Sequence, residues 1–408
     1  MERKGRQQVG VVPELYMLCL QSLVLLCFLV ILLVSDLARA DVLEKAIDYE
    51  IGDNPVSVTC GDFNGDGNLD LAVTSYGSGI SLLLGAGNGT FTQGKSYTTK
   101  AIYSIINGDF NEDGNLDIVS VDKDARVAVF LGVGDGSFAT EGNYLVGKTP
   151  VSVVSADFDS DGHLDMVVAN ASSHNLSVLL GAGDGSFTKA ENYLVGEVPA
   201  SVVSGDFDGD GTMDIVVANR VSDDLSVLLG LGDGRFSKAT KYPVGEDPAY
   251  IIGADFNADG NLDIAIGNIV ELRIVLGTGD GSFGKVVKYA VGADSSVTSG
   301  DFNCDSKLDI ISADDKGIVH LLLGKGDGEF VILSETYETT GSGYGGVAFP
   351  SAIAKGDFNN DGRLDIVVAN NGISSVGVLL NKSKKVNDSS ILEINEGRGP
   401  RSGSDRFK

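Results

Sequence analysis

The sequence predicts an all-β fold, a seven-bladed β-propeller of four-stranded antiparallel blades, and three observations carry that prediction. An acidic nine-residue motif recurs seven times, beginning at Asp62, Asp109, Asp157, Asp206, Asp255, Asp301 and Asp357. Successive copies lie 47, 48, 49, 49, 46 and 56 residues apart, a period that marks a repeat architecture rather than a string of unlike domains. Finally, the chain begins with a segment that resembles the end of a repeat and finishes with a repeat lacking that end, so its two extremities are complementary.

The third repeat shows the order of elements. Residues 150–156 alternate around β-branched side chains and read as a strand. The acidic motif follows, then a second strand over 164–169, a polar turn over 170–175 and a third strand over 176–181. Residues 183–187, Gly-Asp-Gly-Ser-Phe, form a tight hairpin turn because Asp-Gly suits positive φ. Residues 189–195 are a fourth, more polar strand anchored by Tyr193, as suits an outer edge open to solvent. Four short strands in such a unit make one propeller blade.

The hairpin recurs at 87–91, 134–138, 232–236, 279–283 and 326–330, but after residues 376–380 the chain reaches Asn381 and turns polar. The missing strand stands at the other end, where residues 44–52 parallel 188–196. The N-terminal strand is therefore expected to complete the seventh blade and close the ring, leaving no open sheet edges between the first and last repeats.

Each motif has the layout of a loop around a hard cation. Oxygen-bearing side chains occupy positions 1, 3, 5 and 9, position 7 offers its backbone carbonyl, and glycine at position 6 permits the turn. The candidate ligands are Asp62, Asn64, Asp66, Asn68 and Asp70 in the first loop and Asp109, Asn111, Asp113, Asn115 and Asp117 in the second. The third and fourth offer Asp157, Asp159, Asp161, His163 and Asp165, and Asp206, Asp208, Asp210, Thr212 and Asp214. Asp255, Asn257, Asp259, Asn261 and Asp263 form the fifth, and Asp301, Asn303, Asp305, Lys307 and Asp309 the sixth. The seventh holds Asp357, Asn359, Asp361, Arg363 and Asp365. At position 7 (Asn68, His163, Lys307 and their counterparts) the backbone is the expected ligand, whatever the side chain. An all-oxygen set points to Ca2+. Without a cation the carboxylates repel one another, so the metal-free protein should be less stable. The sixth loop, with Ser306 in place of glycine and Cys304 beside it, is expected to be the weakest site or empty.

Composition narrows the function. A formal charge of −27 argues against nucleic-acid binding, and 43% hydrophobic residues suffice for a large core. The Gly-x-Gly-Asp-Gly turns precede strands, so they offer no helix N-terminus to a phosphate. EF-hand loops share the first six motif positions, but helices frame those loops, whereas β-branched strands flank these. Only His163, His174 and His320 exist, without a paired-histidine zinc motif or a nucleophile elbow, so no enzyme is expected.

Residues 1–40 read as an export segment: Arg3, Lys4 and Arg6 precede an apolar run over 23–34 and a small-x-small site at Ala38-Arg39-Ala40. The segment is either a cleaved signal peptide or, with an apolar window over 15–34, an uncleaved anchor. Both place the rest of the chain outside the cytoplasm, secreted or at the cell surface, with any membrane contact through that segment alone. The propeller is assigned to 41–381 and a disordered polar tail to 382–408. Cys60 and Cys304 occupy different positions of the repeat, so no disulfide between them is expected.

On these residues the chain resembles the FG-GAP/VCBS repeat family, which includes the propeller of integrin α subunits. Residues 61–70, Gly-Asp-Phe-Asn-Gly-Asp-Gly-Asn-Leu-Asp, and the Leu-Leu-Gly-x-Gly-Asp-Gly-Ser-Phe turns carry the likeness over about residues 42–381. The resemblance implies calcium in the loop between the first two strands of each blade, and ligands mainly on the opposite face. No leg-like segment or span follows the repeats, so an integrin subunit is not expected. An adhesion or protein-interaction module is the expected function, with a carbohydrate-binding lectin or a polysaccharide-active enzyme as alternatives. The partner, protein or glycan, is expected at turns around Tyr76, 123–126, 170–175, 219–224, 268–271, 314–316 and 370–374. The longer connection over 339–349, with Tyr344 and Phe349, reads either as a further contact or as a tolerated insertion; absent Trp disfavours ring-stacking on indole. Asn88, Asn170, Asn175, Asn381 and Asn387 fit the N-glycosylation pattern.

Overall fold

A computed structural model describes residues 42–99, 102–268, 271–291, 296–314, 316–338 and 350–383. Within them the chain forms seven four-stranded antiparallel sheets, each built from strands consecutive in sequence except the last. The first strands of successive sheets are neighbours, and that of the seventh lies against that of the first, so the sheets close into a seven-bladed propeller around an axis.

In the third blade the strands are Pro150–Ala156, Asp165–Asn170, Asn175–Leu179 and Glu191–Leu194. Proline opens the first strand, where no ladder donor is lost. All six residues of the second strand are buried, which explains its unbroken apolar run between Asp165 and Asn170. Side chains such as Val167 and Val168 each contribute about 1.5–3 kcal/mol by that burial. The fourth strand is largely exposed, as its polar sequence predicts.

That strand is shorter than residues 189–195 because Thr188 interrupts the ladder. Its Oγ accepts the Leu180 N–H at 2.9 Å, leaving an isolated Gly181–Phe187 bridge before pairing resumes. Ser237 does the same to Leu229 in the fourth blade. The turn over 170–175 contains one 3-10 turn, Ala171–Ser173, closed by His174 in the left-handed region.

The ring closes as the phase of the repeats predicts. Ile47–Glu50 pairs antiparallel with Ser375–Leu379, and Tyr49 faces Val376 as Tyr193 faces Leu176 in the third blade. Outside that strand, Glu44 N–H donates to Leu380 O (2.7 Å) and Lys382 N–H to Val42 O (2.9 Å).

Apolar side chains gather between blades rather than in one central core. Val119, Val121, Val127 and Val129 of the second blade pack on Val153, Met166 and Val168 of the third. Leu43 and Ile366 of the closing blade pack on Phe302 and Ile311 of the sixth.

Candidate metal centres

In every blade the acidic motif joins the first strand to the second, so all seven loops lie on one face. The third loop shows how backbone and carboxylates organise each other. Asp157 accepts the N–H groups of Asp161 (3.1 Å) and Gly162 (3.0 Å). Asp159 accepts the Asp161 N–H at 3.2 Å, and Asp161 accepts that of His163 at 2.9 Å. The chain thereby curls with its acidic side chains inward. Gly162 sits at φ 93°, where a β-carbon would be strained. Position 4 is also left-handed, which the motif did not reveal: Glu112, Ser160, Ala258, Cys304 and Asn360 all adopt positive φ there.

Position 9 differs in kind from positions 3 and 5. Asp165 is fully buried, and its two oxygens accept the Phe158 N–H (2.8 Å) and the Gly181 N–H (2.7 Å). One carboxylate thus pins the loop to the end of the third strand. All seven loops repeat the pair of bonds, from Asp70 with Phe63 and Gly85 to Asp365 with Phe358 and Asn381. Burial pushes these carboxyls up despite the two N–H donors: Asp70, Asp165, Asp263 and Asp365 to about 6 and Asp309 to about 7. Charges of the other loop carboxylates, Asp159 and Asp161 around Asp165, push the same way.

The donor set fits a hard cation. Carboxyl oxygens of Asp157, Asp159 and Asp165 lie within 4.8 Å of one another, as do those of Asp206, Asp208 and Asp210. That spacing is about twice a Ca–O bond of ~2.3–2.6 Å, so one ion can touch all three. In the other loops an asparagine amide oxygen takes position 3.

Each loop is also tied to the next blade. Phe63 O accepts the N–H of Gly136, a hairpin residue of the second blade, at 3.0 Å, and Phe158 O that of Gly234 at 3.1 Å. The position-2 phenylalanines stack edge-on against the hairpin phenylalanines, as in Phe158–Phe236 with centroids 5.6 Å apart. Fourth-strand tyrosines complete the joint: Tyr144 OH accepts the Phe187 N–H at 3.1 Å, and Tyr49 serves Phe91 in the same way across the closure. The seventh blade lacks the hairpin, and Asn381 replaces it by donating its amide to Phe302 O at 2.8 Å.

Three loops depart from the pattern. Ser306 takes the glycine position at φ 67° and still donates its N–H to Asp301 (2.8 Å), so the sixth loop keeps its shape at the cost of backbone strain. In the seventh loop Arg363 pairs with Asp361 and donates to Asn381 O at 2.8 Å, placing a protein cation on a candidate ligand. His163 pairs with Glu112 of the preceding loop, which holds the ring's pKa above its usual value.

The opposite face carries the turns after the second strands. Tyr76 is 47% exposed there and its ring lies 6.2 Å from that of Tyr103 on the next blade. Arg220 pairs with Asp247 between the fourth and fifth blades. His174 Nδ1 accepts the Val198 N–H, and His320 pairs with Asp314. Two glycosylation candidates are corrected by burial. Asn170 is fully enclosed and bonded to Ser177, and Asn381 is 1% exposed and bonded to Phe302 and Leu364; neither can carry a glycan in the folded chain. Cys60 and Cys304 are both free thiols. The expected export segment over 1–40, the connection 339–349 and residues 384–408 of the expected tail lie outside the described residues, as do parts of the turns at 268–271 and 314–316.

A family model described as "FG-GAP-like repeat" matches residues 62–108, 109–168, 157–217, 206–266, 255–312 and 301–368. No curated protein matches the chain. Among solved structures, BBS1N in complex with ARL6DN is similar over 84% of this chain and 98% of its own, at 12% identity and TM-score 0.60. An Agrocybe aegerita lectin that recognises non-reducing terminal N-acetylglucosamine is similar over 78% and 86%, at 18% identity and TM-score 0.52. A catalytically inactive virginiamycin B lyase from Staphylococcus aureus, with quinupristin, is similar over 82% and 98%, at 14% identity and TM-score 0.54. At these identities the three show a shared fold.

Proposed function

Because the chain belongs to the FG-GAP-like repeat family, we propose that it is a calcium-braced propeller that acts outside the cytoplasm as a protein-interaction module. The observation that carries the reading is the joint between each acidic loop and the next blade. An ion held by Asp157, Asp159, Asp161, Asp165 and the His163 carbonyl would fix the loop whose Phe158 is bonded to Gly234 of the fourth blade. Calcium would supply charge neutralisation and rigidity. The metal face would then be structural, leaving the opposite face, with Tyr76 and the Arg220–Asp247 pair, to meet a partner.

No catalysis is assigned. Export is read from the basic, apolar and small-residue succession over residues 1–40.

Calorimetric calcium titration, with melting followed in calcium and in chelator, tests the brace. Several sites and a large loss of Tm on chelation are expected; no binding and no shift would end the reading. Partner capture from intact cell surfaces should weaken for Tyr76→Ser and persist for Asp135→Ser on the metal-face hairpin. The reverse order would place the contact on the wrong face.

A glycan is the second reading, favoured by an outer groove of about 690 Å3 between the second and third blades. It is lined by Asn143, Asn175, Asn192, Lys148 and Lys189, groups that suit sugar hydroxyls. A glycan array that stays blank in calcium would remove it.

A further inference from the structure

Around the propeller axis the repeat places the same position of every first strand, two residues before the first loop aspartate. In five blades that position is polar: Asn107, Ser155, Ser204, Ser299 and Lys355. They line one axial cavity of about 450 Å3, within the usual size range of small-molecule sites. No carboxylate lines it among the described residues, although the chain carries a formal charge of −27.

Among the described residues Lys355 is the only charged group of that lining. Its ammonium donates to Ser299 O, which leaves two of its three protons for other acceptors. Lys355 is an exposed residue of its strand and lines the cavity. Enclosure by protein lowers its pKa, the expected response of an ammonium that is desolvated without a counter-ion. The hydroxyls of Ser155 and Ser204 make no hydrogen bond within the described residues.

We propose that this axial channel binds a small carboxylate, with the Lys355 ammonium on its charge and the Ser155 and Ser204 hydroxyls on its polar body. The chemistry selects the class. A cation would meet an ammonium and no anion. A dianion such as sulfate would bring two charges to one compensating group inside an acidic protein. A monocarboxylate matches the single charge, and the cavity leaves room for a hydroxylated body beyond the carboxyl group.

The test uses the calcium-loaded full chain, with acetate and glucuronate as carboxylate probes and sulfate as control. Lys355 is acylated with an amine reagent at neutral pH, and its modification is mapped by peptide mass spectrometry. Glucuronate should protect Lys355 more than acetate does, and sulfate should protect it least. In calorimetry, Lys355→Met should weaken glucuronate binding by about tenfold or more, as expected for loss of a charge-assisted bond, while Lys355→Arg should retain it. Failure of both carboxylates to protect Lys355, equal protection by sulfate, or unchanged binding by Lys355→Met would each overturn the assignment. If Lys355→Met does not fold, protection in the wild-type chain decides alone.

Discussion

Two aspartates of the third loop should respond to truncation with opposite signs, depending on calcium. Asp165 is buried and holds two backbone N–H groups at 2.8 and 2.7 Å. Asp165→Ala leaves both donors buried without partners, at about 1–3 kcal/mol each, so roughly 2–6 kcal/mol is lost whether or not metal is present. Asp159 makes a single 3.2 Å bond to Asp161 N–H and faces the charges of Asp161 and Asp157. Its carboxyl is pushed up by burial first and by Asp161 next, so in chelator Asp159→Ala relieves repulsion and should be neutral or slightly stabilising. In calcium the same change removes a ligand and should lower Tm. The assay is thermal melting by circular dichroism of wild type and both variants, in calcium and in chelator. Wild-type-like melting of Asp165→Ala in chelator would refute the backbone staple. Wild-type-like melting of Asp159→Ala in calcium, with equal calcium affinity, would refute the metal reading.

Other expectations follow from the same geometry. The position-9 carboxyls are all raised, Asp70, Asp165, Asp263 and Asp365 to about 6 and Asp309 to about 7, so the metal-free fold keeps protons that the unfolded chain has already released above about pH 4. The metal-free fold should therefore lose stability as pH rises from about 4 to 7; a chelated Tm that instead climbs across this window would contradict it. Ser306→Gly removes left-handed strain of about 1–2 kcal/mol that the folded loop carries without metal, so the variant should melt at a higher temperature than wild type in chelator; an unchanged or lower Tm would contradict it. Val198 precedes Pro199 at φ 56°, where the equivalent residue of the first blade is Asn54. Val198→Asn should gain about 1 kcal/mol, visible as a higher melting temperature; a lower one would mean the Val198 side chain packs better than its backbone suggests.

Much of the architecture was legible because it is written in local periods repeated seven times. Alternation gave the first strands, the apolar run gave the buried second strand, and the match of residues 44–52 to 188–196 gave the closure that Tyr49 and Val376 realise. What escaped depends on single side chains acting across distance. Asn381 looked like a chain end and a glycosylation candidate, but it substitutes for a whole hairpin by reaching Phe302. Residues 189 and 190 looked like strand, but the hydroxyl of Thr188 beside them competes with the ladder for Leu180. The ligand positions were visible as a list of oxygens. That one of them in each loop is fully buried and also staples the backbone was not, because burial is a property of the neighbouring strand. The axial ring of polar residues is present in the aligned repeats, yet it acquires meaning only once the first strands are known to line the axis.

The closing blade also sets how the ring would yield to force. Ile47 and Val378 are partners in an antiparallel pair, so the free ends of the two closing strands leave the sheet at the same side. Tension that draws those ends apart meets the Val42–Lys382 bond first, then Glu44–Leu380, and then the strand pairs one after another. The bonds are loaded in sequence rather than in parallel, the geometry of unzipping rather than shear. A propeller held by its ends would open at this seam under low load, and its other blades would keep their continuous hairpins. An attachment placed instead on two different blades would pull against the whole circumference.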